Sequence, residues 1–139
     1  MSIRQLSVFV ENKPGHLAAT LGTLAEGGVN VISFTIADTA DYGILRLLVD
    51  QVDRAKELLA ASEYAVVEHP VVCAQMLDTP GALASILRVV SESGLDIDYV
   101  YQGANDSLLL KTDEHERLEA LLKEAGFAVL APEDVTDAA

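Results

Sequence analysis

Two hydrophobic periods follow one another along the first half of this chain, and each predicts one kind of element. Residues 3–10 are a short apolar run rich in Leu, Val and Phe, as is typical of a strand. Leu17, Leu21 and Leu24 then recur at helical spacing, before Gly27-Gly28 gives a helix-ending signal. The first half therefore predicts the order β-α-β-β-α-β, with later strands at 29–37, 42–49 and 64–67 and a second helix at 50–61.

The second half repeats this succession after a tight junction at His69-Pro70, which has no flexible linker. Asp113 and Glu116 match a capping box at the start of the last helix. The acidic tail from Pro132 is expected to fray. The predicted strands are 71–77, 95–102, 108–110 and 127–130, and the predicted helices are 81–93 and 113–125.

An internal repeat in register supports this division. The offset between Pro14-Gly15 and Pro80-Gly81 also relates Asn30 to Asp96. The strict alternation of apolar and polar residues is broken after Asn30 and after Asp96. This predicts a β-bulge in the second strand of each copy. Each copy has the element order of a ferredoxin-like sandwich, an antiparallel sheet with two helices on one face. The sequence therefore predicts an α+β protein of two such units in tandem, at residues 1–68 and 69–139.

Composition and charge narrow the function classes. The 139 residues are half apolar and carry a formal charge of −13, which disfavours nucleic-acid binding because phosphate contacts need Lys and Arg. The single cysteine, Cys73, excludes an intramolecular disulfide and a cysteine zinc cluster. No apolar run is long enough to span a membrane and no leader opens the chain, so we expect a cytoplasmic protein without membrane partner, metal or cofactor.

The repeated Pro-Gly turn is the candidate binding element. Proline suits the first position of a helix, and the glycine after it lets a ligand approach the backbone closely. The helix that follows has unpaired N–H groups at the positive end of its dipole, which suits a carboxylate. Asn12 and Asp78, two residues before each proline, offer oxygens to an ammonium group. A zwitterionic amino acid would satisfy both ends, with an expected affinity of ~micromolar to millimolar.

Structural roles for the same residues stay open. Both prolines could be simple helix starters, Asn12 and Asp78 could be N-caps alone, and Asn30 and Asp96 could be turn residues after helix-ending glycines. Two aspartates alone fall short of a Ca²⁺ coordination shell. No nucleophile–base pair can be read from the sequence, so it does not indicate catalysis.

Two short elements together carry a resemblance to a known family. The element polar-x-Pro-Gly-x-Leu lies at 12–17 and 78–83, and the element Gly-x-Asn/Asp-apolar lies at 28–31 and 94–97. In this arrangement nearly the whole chain resembles a tandem pair of ACT domains, the small regulatory modules that bind amino acids. The first copy is especially similar to the serine-sensing ACT domain of phosphoglycerate dehydrogenases.

The resemblance implies a non-catalytic protein that senses a small amino acid and modulates a partner enzyme or pathway. In that family the Asn before the turn and the Asn after the first helix contact the effector at an interface between neighbouring domains. We also expect a homodimer, because a sheet face without helices needs a cover. The candidate ligand-binding residues are Asn12, Lys13, Pro14, Gly15, His16, Leu17, Asn30, Asp78, Pro80, Gly81, Ala82, Leu83 and Asp96.

The two copies differ in charge at the candidate site. Asp78 and Asp96 stand where the first copy has Asn12 and Asn30, and their negative charges oppose a ligand carboxylate. We therefore expect the first copy to be the better amino-acid site. An alternative function is a dedicated regulatory subunit of an amino-acid biosynthetic enzyme, similar to the small subunit of acetolactate synthase.

Overall fold

The computed structural model describes residues 3–11, 13–38 and 42–137, with only the backbone of residues 38, 136 and 137. These residues form two compact units. The first unit comprises Arg4–His69, and the second comprises the residues from Pro70 onward together with Ile3.

The first unit has the predicted element order and an antiparallel sheet. Strand β3 lies between β1 and β2, with Leu47 opposite Leu6 on one side and Phe34 on the other. The register of β2 shifts between Val31 and Ser33, which confirms the bulge predicted for this strand. The elements are β1 (Ile3–Glu11), α1 (His16–Glu26), β2 (Val31–Asp38), β3 (Tyr42–Val49), α2 (Val52–Ala61) and the first part of β4 (Ala65–Gln75).

Strand β4 is one strand of 11 residues, and the predicted separation into two strands at His69-Pro70 is wrong. The residue before a proline is restricted to extended conformations, which continue a strand. Proline itself is tolerated in a strand where its missing N–H is not needed for the ladder. The boundary between the two units therefore falls inside β4.

The second unit is built around the remainder of β4. Strand β6 lies between β4 and β5, with Leu110 opposite Val72 and Leu109 opposite Tyr101. Residues 95–98 precede β5 and are not part of a strand, so the bulge predicted after Asp96 is wrong. The further elements are α3 (Ala82–Ser93), β5 (Tyr99–Gly103), β6 (Ser107–Lys111), α4 (His115–Glu124) and α5 (Pro132–Asp137).

Residues 127–130, a predicted strand, form a single bridge to β4 instead. Ala74 pairs with Val129, and the N–H of Leu130 donates to the carbonyl oxygen of Cys73 at 2.7 Å. The segment thus lies beside β4, but it does not continue into a regular ladder. The segment turns into the next helix immediately afterwards.

Residues 132–137 of the tail form a helix, so the expectation that the tail frays is wrong for this part. Pro132 is the first residue of α5, where its fixed φ is favourable. A carboxylate oxygen of Asp134 accepts the N–H of Ala131 at 2.8 Å, and Val135 is buried. These are ordinary helix-start signals, and the acidic composition of the segment concealed them.

The start of α4 also differs from the prediction. Its N-cap is Glu114, and no side chain caps it, so the capping box of Asp113 and Glu116 is wrong. The N–H of Glu114 donates to the hydroxyl oxygen of Thr112 at 3.3 Å. The hydroxyl of Thr112 also donates to the carbonyl oxygen of Asp96 at 2.8 Å, which ties the start of α4 to the segment before β5.

Each unit has its own apolar core. In the first unit, Leu6 and Val8 of β1 lie in one buried cluster with Leu24 of α1 and Leu59 of α2. Leu6 and Val8 alternate with Gln5 and Ser7, two polar side chains that are buried on the opposite face of the strand. The second unit repeats the arrangement with Val72, Ala74, Ile86, Leu108, Leu118 and Leu122. The α+β fold of two ferredoxin-like units in tandem is therefore confirmed.

Candidate ligand-binding site

The first Pro-Gly element is a type II β-turn. The N–H of His16 donates to the carbonyl oxygen of Lys13 at 3.2 Å, and Gly15 between them has φ 84° and ψ −15°. This left-handed conformation favours glycine, because a Cβ would be strained there. Helix α1 begins directly after Gly15, whose carbonyl oxygen accepts the N–H of Ala19 at 3.0 Å.

The second Pro-Gly element repeats this geometry. The N–H of Ala82 donates to the carbonyl oxygen of Thr79 at 3.2 Å, and Gly81 has φ 86° and ψ −7°. Ser85 donates both its N–H and its hydroxyl to the carbonyl oxygen of Gly81, each at 2.9 Å. Two turns of different sequence therefore present a helix N-terminus in the same way.

Two expectations about the turn need correction. Neither proline is the first helical residue, because a glycine with positive φ separates it from the helix. The N–H groups of His16 and Ala82 donate within the turn, so they are not donors for a carboxylate. Among the donors expected in the first unit, the amides of Gly15 and Leu17 remain as candidates.

A groove of about 310 Å³ adjoins the first turn. Lys13 and Leu17, two of the predicted residues, line it. The Nζ atom of Lys13 lies 3.0 Å from a carboxylate oxygen of Glu11, and this contact lowers the pKa of Glu11. The charged pair of Glu11 and Lys13 is therefore part of the groove lining. The other lining residues from the sheet are Val10, Ile36, Gly43 and Leu45.

A larger cavity of about 440 Å³ adjoins the second turn. Its walls include three predicted residues, Pro80, Gly81 and Ala82, and it reaches the buried side chain of Ile86. All of its described lining residues are uncharged. The remaining ones are Gln75, Met76, Leu77, Thr79, Ser85, Gly126, Phe127 and Ala128.

Not every predicted residue of the two turns is seen to line one of these cavities. Asn12 is outside the residues that the structure describes. Pro14, Gly15 and His16 stand beside the first groove without lining it. Asp78 and Leu83 are exposed and do not line the second cavity, although both adjoin residues that do.

Asn30 and Asp96 are separated from the turns by a whole helix. Helix α1 has 11 residues between Gly15 and the segment before Asn30, a length of about 16 Å at 1.5 Å per residue. Helix α3, with 12 residues, separates Gly81 from Asp96 in the same way. The described residues of the first turn, 13–17, therefore do not lie beside Asn30 within the first unit.

Comparison with known proteins decides the family. A family model described as ACT domain pair matches residues 1–138. The chain belongs to the ACT domain pair family. ACT domain pairs are regulatory domains and are typically non-catalytic.

Solved structures similar to this ACT domain pair include a regulatory subunit of aspartate kinase. Protein BT0572 from Bacteroides thetaiotaomicron shares 34% identity with a TM-score of 0.91, over 98% of this chain and 96% of that chain. The ligand-free regulatory subunit of aspartate kinase from Thermus thermophilus shares 18% identity with a TM-score of 0.64, over 90% of this chain and 93% of that chain. Escherichia coli aspartokinase III in complex with lysine and aspartate shares 17% identity with a TM-score of 0.55, over 89% of this chain and 31% of that chain. Comparison with curated proteins gives no match.

Sequence reasoning missed most of the residues that line the cavities of this ACT domain pair. Ser85 and Ile86 could have been found, because they lie one helical turn after Ala82 on the same side of α3. Residues 126–128 could not, because their position beside the turn depends on long-range pairing with β4.

Three further features of the described residues bear on chemistry. Burial raises the pKa of the Cys73 thiol to about 11, so this cysteine is a poor nucleophile near neutral pH. Within residues 3–11, 13–38 and 42–137, no group of three His, Cys, Asp or Glu side chains could hold a metal ion. No helix in the described part of this ACT domain pair is long and apolar enough to cross a membrane.

Proposed function

We propose that this ACT domain pair is a non-catalytic regulatory protein that binds a small amino acid and modulates a partner enzyme or pathway. Membership of the family over residues 1–138 supports the regulatory role. The observation that carries the ligand class is the repeated type II turn, which sets a helix N-terminus beside a cavity in each unit.

The chemistry of the second turn suits the two charged groups of a free amino acid. The amides at the start of α3, those of Gly81 and Leu83, are the donors that we assign to the carboxylate, and the helix dipole favours an anion there. The side-chain oxygens of Gln75 and Thr79 on the cavity wall are acceptors for the ammonium group. Hydrogen bonds to charged groups are worth roughly 1.5–3 kcal/mol each, and association costs at least about 4 kcal/mol. The balance is an affinity of ~micromolar to millimolar, which suits a metabolite sensor.

A second candidate is that the chain acts as a dedicated subunit of an amino-acid biosynthetic enzyme. The regulatory subunit of aspartate kinase from Thermus thermophilus, which has a similar fold, motivates this candidate. At 18% identity this likeness concerns the fold, so the identity of the enzyme has to come from experiment. Affinity purification from the native host separates the candidates: a stoichiometric enzyme partner supports the subunit, and its absence supports an independent sensor.

A thermal-shift screen of the twenty proteinogenic amino acids tests the amino-acid ligand. A ligand that binds only the folded state stabilises it by about 2.7 kcal/mol at a hundredfold excess over its Kd. For a chain of this size we expect a rise of several degrees in Tm with one or a few amino acids. No shift with any amino acid at ~10 mM, which exceeds the expected range of Kd, would contradict the proposal.

A further inference from the structure

The second-unit cavity differs from the first-unit groove in both polarity and position. Its deep part is formed by Ile86, which is 1% exposed, and by the half-buried Met76 and Phe127. These three side chains belong to the apolar core of the second unit or pack against it. The deep part of the cavity is therefore a continuation of a hydrophobic core that remains open to a ligand.

The mouth of the same cavity carries polar side chains. Gln75, Thr79 and Ser85 are exposed there, together with the apolar side chain of Leu77, and Thr79 and Ser85 flank the N-terminus of α3. The cavity therefore has polar groups at its mouth and an apolar deep part. That is also the arrangement of an amino acid whose side chain is apolar.

We infer that this cavity binds an amino acid with an uncharged, apolar side chain and excludes amino acids with charged side chains. The inference rests on the proposed function and specifies the ligand of one of its sites. A charged side chain in the deep part would lose its water and find no opposite charge among the described lining residues. An apolar side chain in the same place is removed from water at a gain. The volume of about 440 Å³ lies within the ~300–1,000 Å³ range of small-molecule pockets.

The equivalent flank of the first turn has a different lining. The repeat places His16 where the second unit has Ala82, and Thr20 where it has Ile86. Thr20 is buried and its hydroxyl donates to the carbonyl oxygen of His16 at 2.9 Å. The first-unit groove lies instead against β2 and β3, with the charged pair of Glu11 and Lys13 beside it.

The expectation that the first copy is the better site depends on negative charge in the second pocket. Asp78 is exposed and does not line the cavity, so solvent screens its charge, although it adjoins the lining residues Leu77 and Thr79. Asp96 lies beyond the other end of α3. We therefore assign the apolar amino acid to the second unit.

Calorimetric titration of the full chain with L-leucine, L-lysine and L-aspartate tests this inference. L-Leucine should bind at least tenfold more tightly than either charged amino acid. Ala82→His introduces the residue that the first unit carries at this position, so the chain should fold, and leucine affinity should fall at least tenfold. Ala84→His is the matched control, because Ala84 is exposed on the same helix and does not line the cavity; its affinity should stay within twofold.

Circular dichroism and thermal unfolding verify that each variant is folded. If Ala82→His does not fold, Ser85→Leu narrows the mouth from an exposed helical position and should weaken leucine binding by a similar factor. Lysine or aspartate binding as tightly as leucine would overturn the inference and leave the proposed function intact. An unchanged leucine affinity in folded Ala82→His, or in Ser85→Leu if that variant is used instead, would also overturn the inference and leave the proposed function intact. Binding of none of the twenty amino acids would overturn the proposed function together with the inference.

Discussion

Asn30 and Asp50 are joined by two hydrogen bonds, and neither uses the Asn30 side chain. The N–H of Asn30 donates to Oδ1 of Asp50 at 2.9 Å, and the N–H of Asp50 donates to the carbonyl oxygen of Asn30 at 3.1 Å. The pair fixes the start of β2 against the entry to α2. The backbone of Asn30 thus has a structural role that any residue other than proline could fill.

This pair predicts that replacing Asp50 lowers the stability of the fold more than replacing Asn30 does. Asp50→Ala removes one acceptor and should lower the free energy of unfolding by about 1 kcal/mol. Asn30→Ala keeps both hydrogen bonds and should change stability by less than about 0.5 kcal/mol. Urea unfolding of both variants measures the difference, and a larger loss in Asn30→Ala would show that its side chain stabilises the fold.

The left-handed turns predict a contrast between two glycines of the first unit. Gly15→Ala should destabilise the chain by about 1–2 kcal/mol, because φ is 84° there and a left-handed conformation strains any Cβ. Gly22→Ala, in the middle of α1 with open space around a Cβ, should stabilise it by about 0.5–1 kcal/mol. Thermal unfolding of the two variants measures this difference in stability. Equal changes in stability for Gly15→Ala and Gly22→Ala would contradict the turn geometry.

The ion pairs around Glu68 predict an acid-sensitive part of the stability. Nε of Arg4 donates to Glu68 at 2.9 Å and Lys56 lies at 3.1 Å, which lowers the pKa of Glu68 to about 2. A carboxyl with a lowered folded-state pKa stabilises fully above its unfolded value, near 4.3, and this contribution is lost as the pH falls towards 2. Because the Arg4 side chain is partly exposed, we expect the Glu68 carboxylate to contribute about 1 kcal/mol to the free energy of unfolding.

Glu68→Gln isolates that contribution. Between pH 4.5 and 2 the variant should lose less free energy of unfolding than the wild type, since its side chain cannot titrate. Glu57→Gln, an exposed carboxyl on the same helix as Lys56, is the control and should follow the wild type. Parallel curves for all three proteins would refute an electrostatic role for Glu68.

The exposed apolar side chains of β2 support the expected homodimer. Phe34 and Ile36 are 57% and 43% exposed, and β2 ends the strand order on its side of the sheet. Light scattering should give twice the chain mass of 14.8 kDa, more completely at high salt, because the charge of −13 makes two copies repel. Phe34→Asp should shift the population to monomer, and Ala60→Asp on α2 should not. A monomer at high micromolar concentration in the wild type would contradict the dimer.

The sequence predicts the fold well where its signals are local. Pro14-Gly15 and its copy mark both turns, and the leucines of α1 mark the face that packs on the sheet. His69-Pro70 misled the prediction, because proline can continue a strand as well as end one. The acidic composition of residues 132–137 conceals the start signals of the helix after Pro132.

The site is harder to predict than the fold, because each cavity depends on residues distant in sequence. The turn motif indicates where a helix N-terminus lies, but not which flank of the turn is open. In the second unit that flank is set by Phe127 and by the small side chain of Ala82. The distance between Asn30 and the first turn follows from the length of α1, and could have been inferred from the repeat alone.

The most direct test of the central claim is a ¹H–¹⁵N correlation spectrum of the full chain during titration with the amino acid that gives the largest thermal shift. We predict that the amide signal of Gly81 moves in a saturable way, together with the amide signals of residues 79–86, while those of Gly22 and Gly94 stay unchanged. A saturable response confined to the first turn, around Gly15, would keep amino-acid sensing but contradict the assignment of the ligand to the second unit. If the amides of both Pro-Gly turns stay unchanged at saturating amino acid, the claim that these turns hold the ligand is wrong.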